Sequence, residues 1–355
     1  MLRYVRCLLL AGCLSVCGAF SARAQTQSTP PAPPAASNDA AAAIKTKLDQ
    51  AVEKTDLTAD KTPPYRFHAK VTFHGKLTPF APAEYTVLWA DPNHWRAETR
   101  WPDLTAIEVA SGDRIWKQDT DVRRMALNEL HWALDFPRVL KTDEAKLSGP
   151  QPKTLNGIEA DCFKMTRTFK IPAFSAVDPV FTSVNFPQSS NFTAVRDVCL
   201  LFANGLPLRI KEGSTEYDFS PGEYHVLGMK RFPGRVKHSY SNGSIEIEVD
   251  ALEPLDQASA ETIKPPSGAA SLPWCRNEKP PRLIAPWGIL SIHGVDKAFL
   301  EVANDGKVKG VRAVDMHGSP ITDKSRLDAL SALTFYPAIC GDKVVEAEAF
   351  FSFPR

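Results

Sequence analysis

Apolar and polar residues alternate along the first half of the chain with the period of a β-strand. Every second residue from Tyr65 to Phe73 is apolar, and the residues between them are polar or charged. Residues 245–249 repeat the pattern, with glutamates at the polar positions. Such alternation is typical of an antiparallel strand with one buried face. With the strand and turn signals between them, these segments predict a curved antiparallel sheet or half-barrel.

Two short helices are predicted in the same region. Apolar residues recur every four positions in 44–52, which favours a helix before the first strand. Residues 130–140 favour a short helical interruption of the sheet, broken at Pro137 because proline removes a helical hydrogen bond.

Near the C-terminus the pattern predicts another order of elements. Residues 297–303 and 308–314 read as two strands joined by an Asn-Asp-Gly turn. A helix capped by Thr322 or Asp323 follows, and 344–353 forms a closing strand. The chain is therefore expected to be β-rich α+β, with a small β-β-α-β domain at its C-terminus.

Composition divides the chain into five segments. Residues 256–272 are rich in Ser, Ala and Pro, which is typical of a linker. We expect the following division: a signal peptide at 1–24, a Pro/Ala-rich disordered leader at 25–43, a curved antiparallel β domain at 44–255, the linker at 256–272, and the C-terminal domain at 273–355.

The N-terminal segment indicates export. Arg3 and Arg6 precede an apolar stretch at 7–20, and small residues surround a cleavage point before Gln25. Two alternatives stay open, namely a lipobox ending at Cys13, which would place a lipid there, and an uncleaved N-terminal anchor. We expect a periplasmic protein, or one attached to the envelope by either alternative.

Four of the seven cysteines lie beyond the signal segment. An even number of cysteines in an exported chain favours disulfides. The proposed domain division selects Cys162 with Cys199 and Cys275 with Cys340, because the other pairings would join the two domains across the linker.

Charge and motifs argue against several function classes. The chain has 42 Lys+Arg against 41 Asp+Glu, whereas a nucleic-acid binder should carry a basic face. No catalytic, metal-binding or phosphate-binding motif is present, so no catalytic residue, metal or cofactor is expected. His68 and His74 share a strand face but lie about 20 Å apart, too far to hold one metal.

Aromatic residues gather in the first five predicted strands. They form either the core of the sheet or the wall of an apolar cavity, which strand parity does not distinguish. The candidate ligand-binding residues are Phe67, Phe73, Tyr85, Trp89, Trp95 and Trp116.

The C-terminal domain contains three ordered segments, FLEVANDGKV at 299–308, ALSALTFYPA at 329–338 and GDKVV at 341–345. Together these segments resemble the TonB C-terminal domain family. It implies binding of an outer-membrane or other envelope protein by strand addition at an open edge. The residues of that edge would be Val344, Val345, Phe350, Phe351 and Phe353.

The N-terminal domain contains a series of strand segments, YTVLW at 85–89, Pro92, WR at 95–96, GDRIW at 112–116 and GLPLR at 205–209. In these segments it is similar to the LolA/LolB-like carriers of envelope lipoproteins. It implies a concave face that binds a lipid or lipoprotein acyl chain without catalytic residues. The expected function is a non-catalytic envelope binding or scaffolding protein. The alternatives are an anchored TonB-type energy transducer and an enzyme with an unrecognised site.

Overall fold

The computed structural model describes residues 38–75, 80–143, 145–170, 191–241, 243–275, 278–284, 292–315 and 319–352. The chain divides into Met1–Ala35 and the compact unit Ala36–Arg355, and all described residues lie in the second. The predicted signal peptide, Cys13 and Phe353 lie outside the described residues, as does most of the predicted leader.

The first part of the described chain is a long antiparallel meander with a helical interruption. Its elements are α1 (Asn38–Thr55), β1 (Tyr65–Gly75), β2 (Ala83–Asp91), β3 (His94–Arg100), β4 (Thr105–Ser111), β5 (Arg114–Gln118), α2 (Arg124–Leu134), α3 (Phe136–Val139), β6 (Lys146–Leu155), β7 (Ile158–Lys170), β8 (Asn191–Leu201), β9 (Pro207–Glu212), β10 (Thr215–Phe219), β11 (Tyr224–Leu227), β12 (Lys230–Pro233), β13 (Arg235–Tyr240), β14 (Gly243–Pro254), α4 (Gln257–Ala260) and β15 (Ala270–Pro273).

Thirteen of these strands form one open, curved sheet in the order β15-β5-β4-β3-β2-β1-β14-β13-β10-β9-β8-β7-β6. β1 pairs with β14 from Tyr65↔Pro254 to Gly75↔Gly243, which joins the two halves of the meander. The predicted β-rich class and curved antiparallel sheet are confirmed. β11 and β12 form a separate hairpin.

The main core lies between one face of this sheet and the helices. Burial alternates along β1 as the sequence predicts, with Phe67, Ala69 and Val71 buried. α1 contributes Ile44 and Leu48, which lie one turn apart on the same helix face.

The helical interruption is present but starts earlier than predicted. α2 begins at Arg124 instead of residue 130. Pro137 does not break a helix, because it lies in the first turn of α3, where a proline needs no backbone donor.

The segment 256–272, predicted as a linker, contains regular structure. Asp256 caps α4, its side chain accepting from Ser259 N. β15 then pairs with β5 and becomes an edge strand of the large sheet. The segment is therefore attached to the sheet at β15, while the division into two domains stays a prediction.

The C-terminal block, residues 273–355, contains the predicted order of strand, strand, helix and strand. Its elements are β16 (Glu278–Lys279), β17 (Arg282–Leu283), β18 (Lys297–Val302), β19 (Val308–Val314), α5 (Lys324–Ser331), β20 (Phe335–Tyr336), β21 (Ala338–Cys340), β22 (Lys343–Val345) and β23 (Ala347–Ser352).

Three small sheets organise this block: β19-β18-β23, β16-β21-β22 and β17-β20. Asp323 is the cap of α5, its side chain accepting from Arg326 N. The closing strand predicted at 344–353 is divided, because β22 pairs with β21 whereas β23 pairs with β18.

Both predicted disulfides are confirmed. Cys162 and Cys199 are directly opposite each other on β7 and β8, with Cα atoms 4.0 Å apart. Cys275 and Cys340 have Cα atoms 5.8 Å apart and close a separation of 65 residues. Both distances are below the roughly 7 Å limit for a bridge. In the part of the chain that the structure describes, no helix is long and apolar enough to cross a membrane.

Candidate ligand cavity

A cavity of about 470 Å³ lies between the inner face of β1–β5 and helix α2. This volume is in the range of small-molecule sites. Apolar and aromatic side chains form most of its wall, from three sources. They are Tyr65, Phe67, Tyr85, Val87, Trp89, Trp95, Ala97 and Ile115 of the sheet, Trp132 and Leu134 of α2, and Phe232 and Trp274.

The strand register brings the aromatic rings together. Tyr65 is opposite Trp89 on β1 and β2, and their rings stack with centroids 5.9 Å apart. Trp89 is in turn opposite Trp95 on β3. Phe67 packs edge-on against Phe232, at 5.5 Å. Alternating side chains of adjacent strands therefore form a continuous aromatic wall.

Trp274 closes one side of the cavity. It follows β15, and its indole Nε1 donates to the backbone oxygen of Pro92 at 3.1 Å. Its ring meets Trp95 at a centroid distance of 5.4 Å. The neighbouring residue is Cys275, whose disulfide to Cys340 links this wall to β21 of the C-terminal block.

Four of the six aromatic residues predicted as ligand-binding line the cavity: Phe67, Tyr85, Trp89 and Trp95. Phe73 lies further along β1, buried against Phe80 at 5.9 Å. Trp116 is flanked on β5 by two cavity residues and, by strand alternation, points to the opposite face. Contact of these residues with a ligand stays a prediction.

A cluster of charged residues lies at one end of the cavity. Glu108 on β4 is buried, 3.3 Å from His131 and 3.7 Å from Arg124 of α2. Arg124 also contacts Glu348 of β23 at 2.8 Å, and Lys117 contacts the same carboxylate at 3.6 Å. The cavity therefore shares two of its cations with the C-terminal block.

Glu348 is held ionised at this contact. Its side chain is 5% exposed, and burial alone raises the pKa of the carboxyl. Lys117, Arg124 and Arg312 together outweigh burial, so the pKa of Glu348 lies below its usual value. Arg312 contacts this carboxylate at 2.9 Å and Asp121 at 2.9 Å.

Sequence reasoning did not identify this charged cluster. One signal was available, because Glu108 lies between Ala106 and Ala110 on the buried face of β4. A glutamate at an inward position of a strand needs a buried partner. Its partners lie elsewhere in the chain and give no local sequence signal.

A larger depression of about 600 Å³ lies on the outer face of the sheet, between β1–β3 and α4. Its wall is mostly polar, and its Glu98 contacts Arg96 at 3.1 Å and Arg100 at 2.7 Å. Nearby, His68 contacts Asp250 at 3.2 Å. An apolar ligand fits this polar surface less well than it fits the aromatic cavity.

Among the residues that the structure describes, no group of three or more His, Cys, Asp or Glu side chains is placed to hold a metal ion.

The predicted partner-binding residues are divided between two strands. Val344 and Val345 lie on β22, and Val344 is 47% exposed. Phe350 of β23 packs against Phe299, with centroids 5.2 Å apart. Phe351 packs against Phe335 at 5.8 Å. β23 lies at one edge of its described three-stranded sheet. An added strand would therefore pair with the backbone of β23, whereas the phenylalanine rings pack inside the block.

No protein-family model and no curated protein sequence matches the chain. Several solved structures have a similar arrangement of strands. A LolA superfamily protein from Nitrosomonas europaea is 10% identical, with 60% of this chain and 94% of that chain covered and a TM-score of 0.36.

Two further similar structures come from other bacteria. A putative outer membrane lipoprotein-sorting protein domain from Vibrio parahaemolyticus is 11% identical, covering 61% of this chain and 97% of that chain, with a TM-score of 0.36. A DUF1329 family protein from Desulfovibrio piger is 11% identical, covering 62% and 97%, with a TM-score of 0.37. Because all three TM-scores are below 0.5, a function has to be argued from the cavity itself.

Proposed function

We propose that the protein is an exported, non-catalytic envelope protein that binds the acyl chain of a lipid or lipoprotein in the aromatic cavity. The observation that carries this proposal is the cavity of about 470 Å³ with its largely apolar wall. The two disulfides support export, because such bonds persist in oxidising compartments.

An acyl chain matches the chemistry of the wall. Each methylene moved from water to an apolar site contributes about 0.8 kcal/mol, so a chain of moderate length supplies enough free energy for binding. The charged end of the cavity does not oppose this, because Arg124 pairs with both Glu108 and Glu348. Such a site holds a hydrocarbon chain without requiring a catalytic group.

Displacement of an apolar fluorophore by a fatty acid tests the proposal. We expect one saturable site for each chain. Val87→Trp fills part of the cavity and should weaken binding about tenfold or more. Leu88→Trp is the matched control, because Leu88 is the next residue of β2 and lines the outer depression instead. Non-saturable binding, or equal loss in both variants, would contradict the proposal.

A second part of the proposal concerns the C-terminal block. We propose that it is a TonB-like module that binds an envelope protein by strand addition. The support is its order of β18, β19, α5 and β23, together with the edge positions of β22 and β23 in their described sheets.

Site-specific crosslinking in cells tests this second part. A photoreactive residue at Val344 should give one discrete protein adduct, whereas the same residue at Lys324, exposed on α5 of the same block, should give none. Similar adducts from both positions would mean nonspecific contact.

The alternative function is an anchored TonB-type energy transducer. It requires an N-terminal segment that remains attached to the protein. N-terminal sequencing separates the two: a mature chain that starts at Gln25 favours the periplasmic binding protein, and an intact Met1 favours the transducer.

A further inference from the structure

A second depression adjoins the aromatic cavity at the C-terminal end of α2. Its volume is about 270 Å³, and Trp132 and Asp135 line both spaces. Trp132 is 62% exposed, which is unusual for a large aromatic side chain. The two spaces therefore meet at an exposed indole.

Three arginines line this second depression: Arg138, Arg167 and Arg196. Arg196 is fully engaged, because it pairs with Glu212 and donates to the backbone oxygen of Val139. It therefore shapes the depression and is not free to bind an anion.

The other two arginines are less constrained. Arg138 has a side chain that is 75% exposed and meets Asp135 only at 3.7 Å. Arg167 donates from one terminal nitrogen to the backbone oxygen of Lys141 at 2.7 Å. No carboxylate of the described ranges lies within ion-pair distance of Arg167. Both guanidinium groups can therefore bind an added anion.

The inner end of the cavity differs in this respect. Lys117 and Arg124 lie there, but both contact Glu348, and Arg124 also contacts Glu108. An anion placed there would compete with two buried carboxylates, which makes the inner end unfavourable for a negatively charged group.

We propose that the ligand is an amphiphile with an anionic headgroup, whose phosphate or carboxylate binds Arg138 and Arg167 while its chain passes Trp132 into the aromatic cavity. This inference rests on the proposed function and names the class of its ligand. Guanidinium groups form paired hydrogen bonds with phosphate and carboxylate oxygens. An indole between a polar and an apolar compartment contacts both parts of such a molecule.

Two probes with the same acyl chain test the inference, lysophosphatidylglycerol and the uncharged monoacylglycerol. Wild-type protein should bind the anionic probe about fivefold or more tightly than the uncharged one. Arg138→Gln and Arg167→Gln should each lower affinity for the anionic probe about fivefold and leave monoacylglycerol binding unchanged. The control is Arg235→Gln, which removes an exposed arginine of β13 that pairs with Glu246 of β14, and it should leave both affinities unchanged.

The outcomes separate this inference from the proposed function. Equal affinity for the two probes, or an equal loss from Arg235→Gln, would overturn the headgroup site while the acyl-chain site stands. Inorganic phosphate that binds as tightly as the lipid would also overturn it, because the depression would then be a site for the free anion. Failure of both probes to bind would refute the proposed function and the inference together.

Discussion

His238 on β13 makes the stability of the large sheet dependent on pH. Its side chain is buried, and neither ring nitrogen has a hydrogen-bond partner among the residues described. The ring stacks on Tyr217 with centroids 4.2 Å apart and lies 5.8 Å from Tyr240. Because burial disfavours the charged imidazolium, it lowers the pKa of His238 from 6.5 to about 4.

The direction and size of the effect follow from this difference. Below pH 6.5 the unfolded chain takes up a proton at His238 that the folded chain does not bind, so stability falls as the pH is lowered. A pKa shift from 6.5 to about 4 lowers the free energy of unfolding by about 3 kcal/mol at low pH, and about 2 kcal/mol of this loss occurs between pH 7 and pH 5. Glu129, which accepts from the Tyr240 hydroxyl, acts in the opposite direction, because burial raises its pKa.

Denaturant unfolding at pH 7 and pH 5 measures the effect in the wild type and in His238→Phe. The variant keeps an aromatic ring beside Tyr217 and removes the two unpaired nitrogens. We expect the wild type to lose about 2 kcal/mol more than the variant between the two pH values. Glu129 is common to both proteins, so its contribution cancels in the comparison. An equal loss in both proteins would refute the assignment of the pH dependence to His238.

Three further predictions test the C-terminal block by denaturant unfolding. Glu348→Ala leaves buried cations without their carboxylate and should cost about 3 kcal/mol; a loss below about 1 kcal/mol would mean that the ion pairs contribute little. Gly306→Ala should lower the free energy of unfolding more than Gly213→Ala does. Both glycines have positive φ, but only at Gly306 would an added Cβ lie 2.0 Å from Phe335 O. Equal losses of stability would show that the structure relaxes around the new Cβ. Replacing Cys275 and Cys340 by serine removes a disulfide between residues that are 65 positions apart, and should lower the free energy of unfolding by about 4 kcal/mol. If reductant leaves the unfolding of the wild type unchanged, this prediction is contradicted.

Local patterns predicted the parts of the fold that depend on neighbouring residues. The period of two along β1 predicted both the strand and its buried face, because each buried residue is two positions from the next. The proposed domain division predicted the pairing of the four cysteines, because it placed two of them in each domain. Cys162 lies directly opposite Cys199, as this pairing requires. The presence of a cavity was not predictable, since the same parity suits a core and a cavity wall.

Other features of the structure depend on tertiary context, which the sequence pattern does not contain. Trp116 is a large aromatic residue, as a cavity wall requires, but its position in β5 directs its side chain to the outer face of the sheet. Residues 270–273 have little intrinsic strand preference, yet they pair with β5 because that edge offers unpaired backbone groups. Pro137 fits the first turn of a helix as well as it fits a break, and its neighbours determine which occurs.

The polar end of the candidate site shows most clearly why sequence reasoning stopped at the aromatic residues. Arg124 and Glu348 are 224 residues apart in the chain, and Trp274 meets Pro92 across 182 residues. A fragment ending at residue 255 would keep the aromatic strands but would lose Trp274 from the cavity wall. It would also leave Arg124 and Lys117 without the Glu348 carboxylate. The C-terminal block is therefore part of the structure that forms the cavity, and binding studies require a chain that contains both.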